Sequence, residues 1–281
     1  MMRKNIFFFI SSIFSVLFFV CPLRAQDDSQ QMEGFNLSGY ADGGQKSWDL
    51  KGATADIQGQ EINITDVDAN SYGEEDMNVT AKKGRIDKQN GDMKLQEDVV
   101  VTTESGTKMM TDTLNWQKEK DLITTDDKVT ILRENMTAVG QGAIAQPGLN
   151  KAQLNEKVAV EYKPEADDDT MMGGITITCD GPMEVDYQGQ TAVFHDNVIA
   201  LQGDRKLMAD RMDLFFDSEK KQIKQMVCTG NVLIVQGENT SFSDKAVYEA
   251  DSKKIKLYGR PKLLLHMNDK DKKDSDVPFG N

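Results

Sequence analysis

The residues of this chain best suited to catalysis or metal binding are few and scattered: two histidines and three cysteines among 281 residues. His195 lies between Phe194 and Asp196, with no serine or cysteine nucleophile motif beside it. Nucleophilic catalysis needs the nucleophile and its base within hydrogen-bond reach. Neither His195 nor His266 has cysteine or carboxylate neighbours at metal-ligand spacing, so no zinc site is expected. Asp66-Val67-Asp68-Ala69-Asn70 begins like a calcium loop. Ser71 then stands where the loop's glycine belongs and Met77 where its bidentate glutamate belongs, which argues against calcium. Carboxylates are abundant, but they fall in turns and on polar strand faces, unlike the opposed pair of a glycoside hydrolase. The pattern predicts a protein that is not an enzyme and uses no metal and no cofactor. Cys179 and Cys228 each sit in an apolar strand. An exported chain could pair them; an apolar setting also suits free cysteines acting as small buried hydrophobes.

With no reactive cluster, the elements themselves must carry the function. Residues 1–25 read as an export signal: Arg3 and Lys4, an apolar run from Ile6 to Val20, then Leu23-Arg24-Ala25 before the polar Gln26. An uncleaved anchor is the alternative, although the run is shorter than the roughly 20 residues a spanning helix needs. Cys21 is a poor lipidation site, because Phe19-Val20 precedes it and Pro22 follows. The net charge is −13, and losing Arg3, Lys4 and Arg24 leaves 30 basic against 46 acidic residues, near −16. So acidic a surface excludes nucleic acid, whose binding rests on basic side chains displacing counterions.

The stretch from Ala81 to Val101 is the template for the rest. Asn90-Gly91 is a tight-turn signal, since both residues tolerate positive φ. Met93 and Leu95 alternate with Asp92, Lys94 and Gln96, the period of a half-buried strand. The same alternation puts Trp48, Leu50, Ile62, Ile64, Val99, Val101, Leu114, Trp116, Val129 and Ile131 on inward faces of the first half. In the second half it does so for Met183, Val185, Phe194, Val198, Leu207, Leu214, Val232 and Ile234. Asp126-Asp127 and Thr229-Gly230-Asn231 read as turns, and Gly140, Gly142 and Gly148 with Pro147 as a loosened stretch. Lys82, Asp112 and Asp244 each head a strand, and the residue 17 positions on opens the closing strand: Val99, Val129 and Pro261. Asp210 to Val232 spans 22, with the extra length in a turn at Ser218–Lys221. Such units bury their apolar faces on their neighbours. Helical periodicity is absent beyond short segments. The expected organisation is all-β: a module over 32–163, an acidic linker over 164–174, a second module over 175–266, and a disordered charged tail over 267–281. Phe35 to Tyr40 and Leu263 to Leu265 are the expected sheet edges.

Taken in order, these segments resemble the LptA/LptC superfamily of lipopolysaccharide-transport proteins (OstA-like). The first half is similar to LptC through Phe35-Asn-Leu-Ser-Gly-Tyr40, Gly44-Gln-Lys-Ser-Trp-Asp-Leu50, Asp98-Val-Val-Val101, Met110-Thr-Asp112 and Leu114-Asn-Trp116. The second is similar to LptA through Ala192-Val-Phe194-His-Asp-Asn-Val198, Leu207-Met-Ala-Asp210, Gly230-Asn-Val232, Ala246-Val-Tyr248 and Leu257-Tyr-Gly259-Arg-Pro261. The resemblance implies an open, twisted β-jellyroll of antiparallel repeats in two consecutive modules. It implies a periplasmic protein binding lipopolysaccharide, with the lipid A acyl chains against the inward residues named above. It also implies partners: other jellyrolls stacked edge to edge, an inner-membrane ATP-binding cassette transporter and an outer-membrane translocon. Two features depart from the family pattern. LptC keeps its N-terminal helix as an anchor where this signal looks cleavable, and the two modules are usually separate chains. A structural β-solenoid or surface repeat protein without lipid cargo is the alternative, and it would have a closed, dry core and a stricter period.

Overall fold

The computed structural model describes residues 30–40, 43–73, 76–163, 174–217 and 222–266. The expected signal, nearly all of the acidic linker and the charged tail lie outside the described residues. The strands are β1 (Gln30–Tyr40), β2 (Lys46–Gln58), β3 (Glu61–Ser71), β4 (Met77–Asp87), β5 (Met93–Thr103), β6 (Lys108–Gln117), β7 (Leu122–Arg133), β8 (Met136–Gln146) and β9 (Lys151–Tyr162). They continue as β10 (Ile175–Cys179), β11 (Met183–Asp186), β12 (Thr191–Gln202), β13 (Arg205–Asp217), β14 (Gln222–Gln236), β15 (Asn239–Glu249), β16 (Lys254–Tyr258) and β17 (Lys262–Leu264). The described helical turns, Lys118–Lys120 and Pro147–Leu149, are single 3-10 turns.

All 17 strands join one sheet. Apart from β10 with β11 and β16 with β17, each pairs antiparallel with its successor in a long meander, as the short turns between them require. Two positions in the meander are shared. The short strands β10 and β11 lie end to end between β9 and β12, and β16 and β17 lie end to end along β15. The sheet therefore crosses from the first half to the second through β9, and it has two free edges, β1 and the β16/β17 pair.

The strands are longer than the sequence suggests. Asp126-Asp127 lies inside β7, Asp196-Asn197 inside β12, and Thr229-Gly230-Asn231 inside β14; none is a turn. These are β-bulges, where extra residues slip out of the ladder and bend the strand. Glu97, Asp98, Asp196, Asn197 and Asn231 all hold positive φ, a conformation that Asn and Asp tolerate in turns and bulges alike. A pattern reader cannot separate the two uses. Most of the loosened stretch is a strand too, β8, which ends at the 3-10 turn of Pro147 and Gly148: Gly142, at φ +73°, lies opposite the β7 bulge at Asp126-Asp127, and Gly140 leaves the space that Leu154 fills.

The bulges also explain the repeat spacing. Lys82, Asp112, Asp210 and Asp244 do not head strands; each stands mid-strand near a neighbour's bulge or strand break, and the residue 17 or 22 positions on lies just beyond it. Lys82 pairs with Asp98, and Asp210 Oδ2 accepts a hydrogen bond from Asn231 Nδ2 at 2.9 Å. A Cβ on Gly230 would sit 2.2 Å from the same Asp210 oxygen, so both its φ of +77° and its neighbour require glycine.

The bulges of neighbouring strands fall side by side and crease the sheet, and many of the most buried residues flank them. Leu95 and Val99 flank the β5 bulge, Phe194 and Val198 that of β12, and Cys228 and Val232 that of β14. They form two clusters. One is built on Leu50, Ile64, Val67, Ala81, Leu95, Val99 and Leu114, from β2 to β6. The other runs from Val129 to Ala246, from β7 to β15.

Candidate functional site

Register and burial assemble two mainly apolar rows, one on each side of the crease, each running past both core clusters. The first runs Ile57, Ile62, Ile86, Met93, Trp116, Ile123, Ala145, Ala152, Val185, Ala192, Leu214, Met226, Tyr248, Ile255, each directly paired with the next. The second runs Leu37, Leu50, Ala69, Val79, Val101, Met109, Ile131, Ala138, Val160, Ile177, Ala200, Leu207, Ile234, Ser241, Leu263. This second row reaches from one edge strand, β1, to the other, β17. Both rows pass through β9 and so join the two halves of the chain.

The twenty sequence-predicted residues divide by depth. Leu50, Ile64, Leu95, Val99, Leu114, Val129, Phe194, Val198, Leu207, Leu214 and Val232 are buried. Trp48, Ile62, Met93, Val101, Trp116, Ile131, Met183, Val185 and Ile234 are half-buried. The first group, mostly at the crease, makes the protein's own core. The second lies farther out on the walls, where part of the apolar surface stays exposed. Sequence reasoning left out Ile86, Ile123, Met109, Met226 and Tyr248. Their signal was register: Ile86 faces Met93 across the Asn90-Gly91 hairpin, and Ile123 faces Trp116.

The edges carry exposed apolar side chains as well. Met32, Leu37 and Tyr40 project from β1, and Ile255, Tyr258, Leu263, Leu264 and Leu265 lie at the other edge. β1 is seated by two aromatic rings: Trp48 lies over Gly39 and Phe35 over Gly52, so closely that a Cβ at either glycine would come 2.1 or 2.4 Å from a ring atom.

The reactive residues stay apart. Cys179 and Cys228 are buried and unpaired. Burial pushes the Cys179 thiol up to about 11 and the Cys228 thiol up to about 12. That is the reverse of the thiolate a nucleophile needs. Cys179 Sγ donates to the Gly181 carbonyl at 3.3 Å. His195 Nε2 lies 3.6 Å from Glu184 Oε1. Among the described residues no group of three or more His, Cys, Asp and Glu is placed to hold a metal ion. Asp49 is buried on the opposite face from Leu50, in contact with Lys46; Asn70 Nδ2 donates to it at 3.0 Å and the Tyr72 hydroxyl at 2.8 Å. With every oxygen partnered, it braces β2 against β3.

The crease is flanked by two long rows, apolar at every position but Ser241. Comparison with known proteins gives two family matches. Residues 20–163, just over half of the chain, match the family described as lipopolysaccharide-assembly, LptC-related, and residues 176–276 match the LptA/(LptD N-terminal domain) lipopolysaccharide transport protein family. This chain belongs to the LptA/LptC superfamily. These are families of transport proteins, not of enzymes. No curated protein sequence matches the chain. A similar solved structure is LptH of Pseudomonas aeruginosa, described as the LptA-homologous periplasmic component of a lipopolysaccharide transport device. It is 14% identical, covers 68% of this chain and 95% of its own, and superposes with a TM-score of 0.21. The two family matches meet within residues 164–175, so one chain carries an LptC-related and an LptA-like segment in order.

Proposed function

We propose that this protein is a periplasmic lipopolysaccharide carrier that holds the acyl chains of lipid A along the two apolar rows. In this reading it is one span of a bridge from an inner-membrane ATP-binding cassette transporter to an outer-membrane translocon. The observation that carries the reading is the second row, apolar from Leu37 in β1 to Ile234 in β14 and continued through Ser241 to Leu263 in β17. Each buried CH2 is worth about 0.8 kcal/mol, so a multi-acyl lipid gains most from a long strip of apolar wall. The half-buried Met93, Met109, Met183 and Met226 suit this, because methionine adapts to irregular partners. The edge strands, with unpaired backbone on their outer sides, supply the joints by which further jellyrolls add in line. The surface-solenoid alternative fits less well, because coiled β-helices pair in parallel while every strand here pairs antiparallel.

The test is competition for a fluorescent fatty-acid probe bound to the purified chain. Lipopolysaccharide and isolated lipid A displace the probe, and de-acylated lipopolysaccharide does not. Displacement by the de-acylated sugar would refute an acyl-chain site.

A further inference from the structure

The sheet is continuous, yet its core is not. The cluster on Leu95 ends with Leu114 in β6, and the next begins with Val129 in β7. Met109 is a side chain packed against both. The division falls three strands before the acidic segment at which the two family matches meet. Three features of the β6–β7 contact explain it. First, the backbone ladder is lost from Thr111 to Leu114 on β6 and from Thr125 to Val129 on β7, a longer gap than at any other bulge in the sheet. Only the two ends are stitched, by Trp116 with Ile123 and Met109 with Ile131, together with their ladder neighbours. Second, threonines occupy the crease here where neighbouring strands place apolar residues: Thr111 and Thr125 are buried, with hydroxyls 3.3 Å apart. Third, a side-chain bond spans the gap, Thr113 Oγ1 donating to Asp127 Oδ2 at 2.6 Å, while the Asp127 N–H turns back within β7 to Thr125 Oγ1 at 3.1 Å.

The β9 contacts show the opposite. β9 pairs along its length with β8 on one side and with β10 and β11 on the other, and Leu154, Val158 and Val160 enter the second cluster. Hydrophobic cohesion follows contiguous packed surface, so a cooperative unit follows the core and not the family match.

We infer that the joint between the protein's two cooperative units is the β6–β7 crease, so that β7, β8 and β9 unfold with the second half although they match the LptC-related family. Such a joint lets the two units bend or open independently while the apolar rows stay paired at its ends.

The chain carries its own probes. Its two tryptophans belong to strands of the first side: Trp48 packs on the first cluster, and Trp116 in β6 pairs with Met93 there and with Ile123 across the joint. Cys179 and Cys228 are buried in the second. In the full chain with Cys21→Ser, urea unfolding is followed by tryptophan emission and by reaction of the thiols with an aromatic disulfide reagent. Leu95→Ala and Leu154→Ala delete the same atoms on either side of the joint, each lowering a midpoint by about 1 M urea. Leu95→Ala moves the emission transition and leaves the thiol transition in place. Leu154→Ala, which lies before the acidic segment, moves the thiol transition and leaves the emission one. A Leu154→Ala variant that moves emission instead places the joint at the acidic segment and overturns the inference. So does any variant that moves both transitions together, since that means a single unit. Should a variant not fold, hydrogen exchange of the unaltered chain decides: one common opening rate for peptides of β2–β6 and a different one for β7–β15 supports the joint, and a rate change falling after β9, or none, refutes it.

Discussion

Asp49 shows what a single residue contributes. It is 2% exposed, and the Lys46 ammonium first, then the Asn70 amide and the Tyr72 hydroxyl, hold its carboxyl well below the usual range. A carboxylate with a depressed folded-state pKa stabilises the protein above its unfolded value of about 3.9, and that contribution is lost as pH falls from there through the folded value. Asp49→Asn should therefore lower Tm by a constant amount between pH 8 and 5, and the difference from the unaltered chain should narrow below about pH 4. Thermal unfolding followed by circular dichroism across that range checks it; a difference that persists unchanged at pH 2.5 would mean the amide loses shape and not charge. Nothing in the sequence marks Asp49 as special. It alternates with Trp48 and Leu50 as a solvent-facing residue would, and its partners are Asn70 on β3 and Tyr72 just beyond that strand's end.

At the scale of elements, the sequence shows its hairpins plainly because Asn90-Gly91, Ser105-Gly106 and Gly203 punctuate them. It conceals the bulges, because Asp126-Asp127 and Gly230-Asn231 have the same composition inside a strand as they would in a turn. That is why Lys82, Asp112 and Asp244 looked like strand starts and prove to stand opposite kinks. The edge strand β1 depends on rings lying flat on glycines. Gly52→Val would drive a side chain into Phe35 and Ile64, and should cost about 1–3 kcal/mol and expose β1 to proteolysis before the rest of the sheet. Limited proteolysis with mass spectrometry measures this; uniform cleavage across the sheet would show that β1 is not separately seated. Edge charge is the second element-scale prediction. Lysine on an edge strand blocks strand addition, so Leu37→Lys or Leu264→Lys should reduce end-to-end association, seen in sedimentation velocity, with the Tm unchanged within a degree or two. Both positions are exposed, at 46% and 61%, so neither change disturbs the core.

At the scale of the molecule, periodicity identified the inward face from Trp48 to Ile234 but not depth within it. Alternation reports which side of a sheet a residue takes, whereas depth depends on distance from a crease made by bulges that read as turns. Phe194 and Met183 are therefore equivalent in the sequence, while Phe194 is core and Met183 remains half-open. The register that joins Met93 to Met226 through seven intervening strand positions likewise exists only in the assembled sheet. The central claim is that this assembled face, and not its reverse, carries acyl chains in both halves of the chain. Site-specific photocrosslinking to lipopolysaccharide tests it most directly, with a photoreactive side chain at Met93 or Met226 and, as the outward neighbours, at Lys94 or Gln225. The account predicts lipopolysaccharide adducts at Met93 and Met226 and background labelling at Lys94 and Gln225. Equal labelling on the two faces would contradict it.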